Sequence, residues 1–267
     1  MKTGIFQFDT AFGKKEENLK KVAAALKDID LQLLVLPELF ATGYQFRSQD
    51  EVAELSETIE GGQTTEFLCD MSREKGIYIV AGLPERDGDK FYNSAVLTGP
   101  EGLIGTYRKT HLYFEETLYF TPGDTGFRVW DTKIGKIGVM ICYDWFFPES
   151  LRCLAIEGAE IVAHPSNLVL PYCPDSMHVR ALENRVFTVT ANRIGTEDRT
   201  AGKPLKFIGQ SLIASPRGEV LVKASYSKEE IIIADIDPSA ARDKSLNIYN
   251  DIFNERRPDM YGALLKK

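Results

Sequence analysis

Two near-continuous apolar runs, Leu31 to Leu36 and Ile77 to Ala81, constrain this chain more than anything else in it. Runs of this kind mark strands buried on both faces, so other layers must be stacked above and below them. Helical patterns flank both. From about Lys14 to Lys27, Leu19, Val22, Ala23 and Leu26 fall at i, i+3, i+4 and i+7. From Gln63 to Lys75 a second helix should turn Phe67, Leu68 and Met71 inward and stop at Gly76. Gly4 to Asp9 reads as a short strand ahead of both helices.

The middle of the chain changes character. Asn93 to Leu97 and Leu103 to Tyr107, joined by the turn Gly99-Pro100-Glu101-Gly102, read as an antiparallel hairpin. Val129 to Asp131 with Lys136 to Ile141 reads as another. Pro148 should open a helix running to Gly158, and Ile161 to Ala163 a strand. Asp175 could cap a helix through Val179, Leu182 and Val186, which would also make His178 a residue near a helix start. Strands follow at Thr188 to Ala191, Leu212 to Ala214, Val220 to Lys223 and Ile231 to Ile236, with Pro238 ending the last. Alternating helices and strands around hairpins suit a layered α/β domain with a mixed sheet or two stacked sheets. No linker, short-period repeat or compositional break interrupts the 267 residues, so one domain is expected over 1–267.

Composition narrows the function. With 39 acidic against 32 Lys plus Arg the net charge is −7, and no long basic run is present. Nucleic acid and anionic membranes are therefore poor partners. The apolar stretches fall far short of the roughly 18 residues of a membrane span, and Gln7 and Asp9 break any leader-like apolar core. A cytoplasmic protein is expected. Cys69, Cys142, Cys153 and Cys173 show no C-x-x-C spacing, and His111, His164 and His178 form no H-E-x-x-H. Neither a disulfide framework nor a zinc site is indicated, and both common glycine-rich nucleotide motifs are missing.

Three reactive residues each stand where a strand ends: Glu38 in VLPELF, Lys109 in GTYRKTHL and Cys142 in IGVMICYDWFFPES. Loops beyond strand ends are where α/β enzymes place reacting groups. Taken singly, each has a bland reading: a buried small hydrophobe, a loop carboxylate, a surface charge. Together they can do chemistry. A carboxylate can take the thiol proton, the thiolate can attack an electrophilic carbon, and an ammonium can stabilise the charge that develops. A Cys–His pair through His111 or His164 is the alternative. Cys69 and Cys153 read as packing residues, and Cys173, in a PYCP loop, as exposed or lining a pocket.

The ordered set LPELF, YRKTHL and GVMICYDWFFPES resembles the nitrilase superfamily, the carbon–nitrogen hydrolases, most closely its small amidase and aliphatic nitrilase branch. The likeness continues through GIFQFD, YFTPGD, GAEIVAHPSN, RALENRVFTVTANR and FIGQSLIASPRGEVL, and covers residue 3 to about 255. It implies a four-layer αββα sandwich, Cys142 as nucleophile, Glu38 as general base, Lys109 as stabilising cation and the Tyr143 backbone N–H as oxyanion donor. Glu116 matches a second glutamate that orients substrate, unless the alignment slips to Glu115. Tyr44, Trp145, His164 and Asn167 become pocket-wall residues, with loops Tyr44 to Ser48, Thr117 to Phe120 and Asn167 to Asp175 shaping the pocket. No metal or organic cofactor is implied. The expected reaction is hydrolysis of a small carboxylic amide through a thioester, with nitriles and N-carbamoyl amines as alternatives. A non-catalytic interaction protein or an acyltransferase is a more remote one. The resemblance also implies pairing of at least two copies through the helices near 148–158 and 178–187. The tail from about 247 to 267 would reach a neighbour or dock on its own subunit.

Overall fold

The computed structural model describes residues 1–266. In chain order the elements are β1 (Lys2–Gln7), α1 (Lys15–Ala25), β2 (Leu33–Val35), α2 (Gln49–Leu55), α3 (Gln63–Lys75), β3 (Tyr78–Asp87), β4 (Lys90–Gly99), β5 (Gly102–Arg108) and α4 (Glu116–Tyr119). They continue as β6 (Val129–Thr132), β7 (Gly135–Val139), α5 (Pro148–Ile156), β8 (Ile161–Pro165), α6 (Tyr172–Asn184), β9 (Phe187–Ala191) and the two-residue strands β10 (Thr196–Glu197) and β11 (Leu205–Lys206). Last come β12 (Leu212–Ala214), β13 (Val220–Lys223) and β14 (Glu230–Asp235).

Two six-stranded sheets face each other, ordered β14-β1-β2-β3-β4-β5 and β13-β12-β9-β8-β7-β6. Each has the same inner arrangement. β1, β2 and β3 run parallel in one, β7, β8 and β9 in the other, and antiparallel strands flank both sets. Side-chain alternation builds the layers. Ile5, Leu33, Val35, Tyr78 and Val80 point to the second sheet and meet Val139, Ile161, Ala163 and Val189. Their sequence neighbours Phe6, Leu34, Leu36, Ile79 and Ala81 point the other way, onto Leu19 and Val22 of α1, Leu26 just after it, and Leu68 and Met71 of α3. Leu151 and Leu154 of α5 and Met177 and Ala181 of α6 cover the far face of the second sheet. The result is the αββα order, and it explains why the central strands are buried on both faces.

Gly76 ends α3, as read from sequence, and does so in the left-handed conformation. Several boundaries move. The run Ile77 to Ala81 leads into a ten-residue strand, Tyr78–Asp87, that pairs antiparallel with β4. Its outer end is polar, because Glu85 there accepts from Ser94 and Arg108, and this hides it from an apolar reading. α6 begins at Tyr172, so Asp175 lies in its first turn instead of capping it and His178 sits mid-helix. Pro174 is tolerated in that turn because the first N–H groups of a helix have no intrahelical partner. Val179 and Leu182, on the helix as read, are 45% and 44% exposed. Cys153 is also exposed, Cys69 is buried, and Cys173 is buried away from the pocket. No described helix is long and apolar enough to cross a membrane.

Candidate active site

Beyond β2 the chain continues beside β3. Leu36 N–H donates to Val80 O, Gly82 N–H to Pro37 O and Phe40 N–H to Gly82 O. Glu38 is thereby pressed against Gly82, where a Cβ would lie 2.6 Å from the Glu38 Cα and 2.9 Å from the Leu39 nitrogen. Only glycine admits that approach. Lys109 follows β5; its N–H donates to Asn93 O and its C=O accepts from Gly123 N–H, 2.8 Å each. The intervening loop returns through α4, whose first residue is Glu116. Cys142 follows β7 with φ +43°, in the left-handed region, a backbone strain that only a firm surround sustains.

That surround is visible. Asp144 Oδ2 accepts from Ile141 N–H (2.9 Å) and Tyr107 O–H (2.7 Å), and its Oδ1 accepts from His111 N–H (3.1 Å). On the other side His164 Nε2 lies 2.9 Å from Cys142 O. A carbonyl only accepts, so Nε2 carries the proton, leaving Nδ1 to accept from Thr190 Oγ1 at 3.1 Å. Burial lowers the His164 pKa to about 4, so the ring is neutral.

The ionisable side chains converge away from water. Lys109 Nζ donates to Glu38 Oε1 at 2.6 Å and to Glu116 Oε1 at 2.7 Å, all three groups being buried. Asn93 Nδ2 donates to Glu38 Oε1 at 2.7 Å and lies 3.4 Å from Glu116 Oε2, while Tyr44 O–H donates to Glu116 Oε1 at 2.6 Å. Glu38 Oε2 is buried and has no hydrogen-bond partner among the described residues. Burial pushes the Glu38 pKa up to about 7, against the pull of Lys109 and with added push from Glu116. Burial alone would favour a neutral Lys109, but Glu116, Glu38 and Cys142 outweigh it and hold the ammonium charged. The Cys142 thiol is pushed up by burial and by Glu38, and drawn back by Lys109 and the Asn167 backbone N–H. A carboxyl that titrates near neutrality beside a thiol and a fixed cation can accept a proton and return it.

Cys142 lies at the foot of a cavity of about 330 Å³ walled by Tyr113, Tyr143, Trp145, Phe146 and the segment 167–170 with Tyr172. Trp145 and Asn167 lie in that wall. His164 is not: it stands behind the nucleophile, fully buried, and holds the Cys142 carbonyl. Tyr44 lies with Glu116 along a separate small crevice. The loops 44–48 and 117–120 do not line the cavity at Cys142, whereas residues 167–170 and Tyr172 do. Neither His111 nor His164 directs a ring nitrogen into a hydrogen bond with the thiol; His111 Nδ1 is 2.8 Å from Asp144 Oδ1. Glu115 is absent from the Lys109 cluster, and Glu116 is in it. Asn93 and Asp144 went unread in the sequence. Among the described residues no three His, Cys, Asp or Glu are grouped to hold a metal ion.

Beyond the strand ends of two facing sheets a thiol, a carboxylate and an ammonium are buried together, the set that acyl transfer through a thiol requires. The family model for carbon-nitrogen hydrolases matches residues 2–244, and the chain belongs to that family. It is 51% identical to a nitrilase of Pyrococcus abyssi, across 98% of this chain and 99% of that one. It is 33% identical to an omega-amidase of Xenopus laevis, across 95% and 94%. Among solved structures, a carbon-nitrogen hydrolase of Helicobacter pylori superposes with a TM-score of 0.90 at 29% identity, covering 100% of this chain and 99% of that chain.

Proposed function

We propose that this carbon-nitrogen hydrolase releases ammonia from small carboxylic amides through a thioester on Cys142. The observation that carries the reading is the buried Lys109 ammonium bridging Glu38 and Glu116 beside the thiol. Glu38, through its unpartnered Oε2, takes the thiol proton. The thiolate attacks the amide carbon, and the developing oxyanion is met by Lys109 and by the Tyr143 N–H. That N–H precedes the first bond of the turn, which runs from Asp144 N–H to Ile141 O. Glu38 returns its proton to the leaving ammonia, then activates the water that opens the thioester. Glu116, fixed by Tyr44 and Lys109, orients the substrate nitrogen. A nitrile is the second reading, favoured by the name of the Pyrococcus relative; two waters then yield acid and ammonia. Ammonia and acid release from matched amide–nitrile pairs, with mass spectrometry of quenched enzyme for a Cys142 adduct, tests both. Absence of ammonia and adduct from every pair would refute the assignment.

We also infer that the chain works as at least a homodimer. Support comes from the apolar side chains left outside on α5 and α6, namely Ile156, Val179 and Leu182. The start of the tail docks on its own subunit, since the Phe253 ring lies under Arg152 and Lys244. Further along, Met260, Leu264 and Leu265 are exposed. Light scattering at micromolar concentration should give at least twice the monomer mass; a monomer would refute the pairing.

A further inference from the structure

We propose that the acyl part of the substrate is uncharged and apolar, and that it runs from Cys142 along Trp145, Leu168, Val169, Leu170 and Tyr172. This deepens, and rests on, the amide or nitrile reading given above. The carbon under attack must sit at the Cys142 sulfur, with its nitrogen or oxygen toward Lys109 and Glu116. The rest of the molecule is then left with the cavity that opens from the thiol. Among the described residues, no side chain lining that cavity is charged. The charges nearest the thiol, Glu38, Lys109 and Glu116, are buried and already paired with one another. Arg180 reaches the wall from behind, but it donates to the Trp145 carbonyl at 3.4 Å and pairs with Glu183 at 2.9 Å. A carboxylate at the far end of the acyl chain would lose water and gain no cation, only neutral donors such as the tyrosine hydroxyls. An ammonium would find no carboxylate, only the Asn167 Oδ1, tyrosine hydroxyls and ring faces, and the rings of Tyr143, Trp145 and Phe146 are packed against one another at 5.1 to 5.8 Å between centroids. A methylene chain loses nothing there and gains burial.

The test compares pentanamide with two amides of similar length, succinamate (anionic) and 4-aminobutanamide (cationic), together with propanamide, butanamide and hexanamide. Two readouts are taken: ammonia release, and protection of Cys142 against alkylation by iodoacetamide. Each added methylene should raise kcat/KM about fourfold. Pentanamide should exceed both charged amides by at least about 100-fold in kcat/KM, and should protect the thiol at concentrations where they do not. Leu170→Arg, at the exposed mouth, should improve succinamate relative to pentanamide by about tenfold or more. Equal or better protection by either charged amide would overturn the proposal, as would an absence of any gain in Leu170→Arg. If neutral amides protect Cys142 without releasing ammonia, the reaction reading fails and the specificity stands. If no neutral amide protects, the specificity fails as well.

Discussion

Lys109→Ala is the perturbation whose consequences can be followed furthest. The ammonium makes two charge-assisted hydrogen bonds, 2.6 Å and 2.7 Å long, to carboxylates that water does not reach. Removing one partner of a buried ion pair costs about 3–5 kcal/mol, which in a domain of this size is a fall in Tm of about 6–20 °C. The site has one way to soften this, which is to bind a proton. Glu38 is already raised to about 7 by burial, and Lys109 is the strongest influence holding it down; without the lysine it must rise further. A carboxyl whose folded pKa is raised contributes stability below the unfolded value of about 4.5 and loses it as pH climbs through the folded value. Wild type finishes losing that contribution near pH 7, whereas the variant goes on losing it above pH 7. Lys109 itself, raised above 10.5, adds no slope in that range. The Tm gap between the two proteins should therefore widen from pH 7 to pH 9. On the kinetic side, kcat should fall about 10²–10³-fold with little change in KM, since the cation meets charge that exists only in the transition state. Lys109→Arg should not rescue it, because a planar guanidinium cannot occupy the place of a compact ammonium between two carboxylates. Alkylation of Cys142 should also slow, Lys109 being one of the groups that lower the thiol pKa, but by less than turnover does. Normal kcat with a raised KM would refute the role, and a Tm gap independent of pH would refute the proton linkage.

Three further outcomes are expected. Cys142→Ala should abolish turnover while Cys69→Ala, Cys153→Ala and Cys173→Ala each keep most of it, measured as ammonia release; full activity in Cys142→Ala would sink the thioester. The pH profile of kcat/KM should rise to a plateau through a pKa near 7 set by Glu38, and Glu38→Gln should lose that limb along with about 10²–10⁴ of the rate; an unchanged limb in the variant would assign it to another group. Gly82→Ala should cost about 1–3 kcal/mol in denaturant unfolding and lower kcat, because its methyl would meet the Glu38 and Leu39 backbone; a variant of wild-type stability and rate would show that the contact is slack.

The residues that were legible in the sequence share one property: each sits just past a strand whose apolar run can be read locally. That places Glu38, Lys109 and Cys142, and by alternation most of the inter-sheet core. What escaped depends on partners far along the chain. Asn93 interrupts an apolar strand, and nothing local says that two carboxylates, from residues 38 and 116, await its amide. His164 lies on a strand whose five residues are all buried, so no alternation tells whether its ring faces the cavity or the nucleophile's carbonyl. The stripe holding Val179 and Leu182 has helical spacing, but spacing cannot say whether the chain's own sheet or another surface covers it. The four-residue α4 is too short to show any period, although it carries Glu116.

Base and cation come from one sheet and the thiol from the other, so the chemistry depends on how the sheets are docked. Besides the bond from His111 to Asp144, two hydrogen bonds cross that divide close to the reacting atoms. Tyr107, two residues before Lys109, donates to Asp144, two residues after Cys142, at 2.7 Å. Asn167, beyond β8, donates to the Glu38 carbonyl at 2.9 Å. At the edge of the sandwich the Trp130 ring of β6 lies against Gly105 of β5, where a Cβ would come within 2.2 Å of it. A sliding of one sheet by a fraction of an ångström would have to stretch both bonds and drive that ring into the β5 backbone. The strained Cys142 turn and the ion cluster are therefore held in register by the same packing that buries the core between the sheets. Substitutions at Tyr107 or Asn167 that leave the ionisable residues untouched should thus act on the distance between thiol and base, and so on the rate of thiol activation, before they act on the charge of either group.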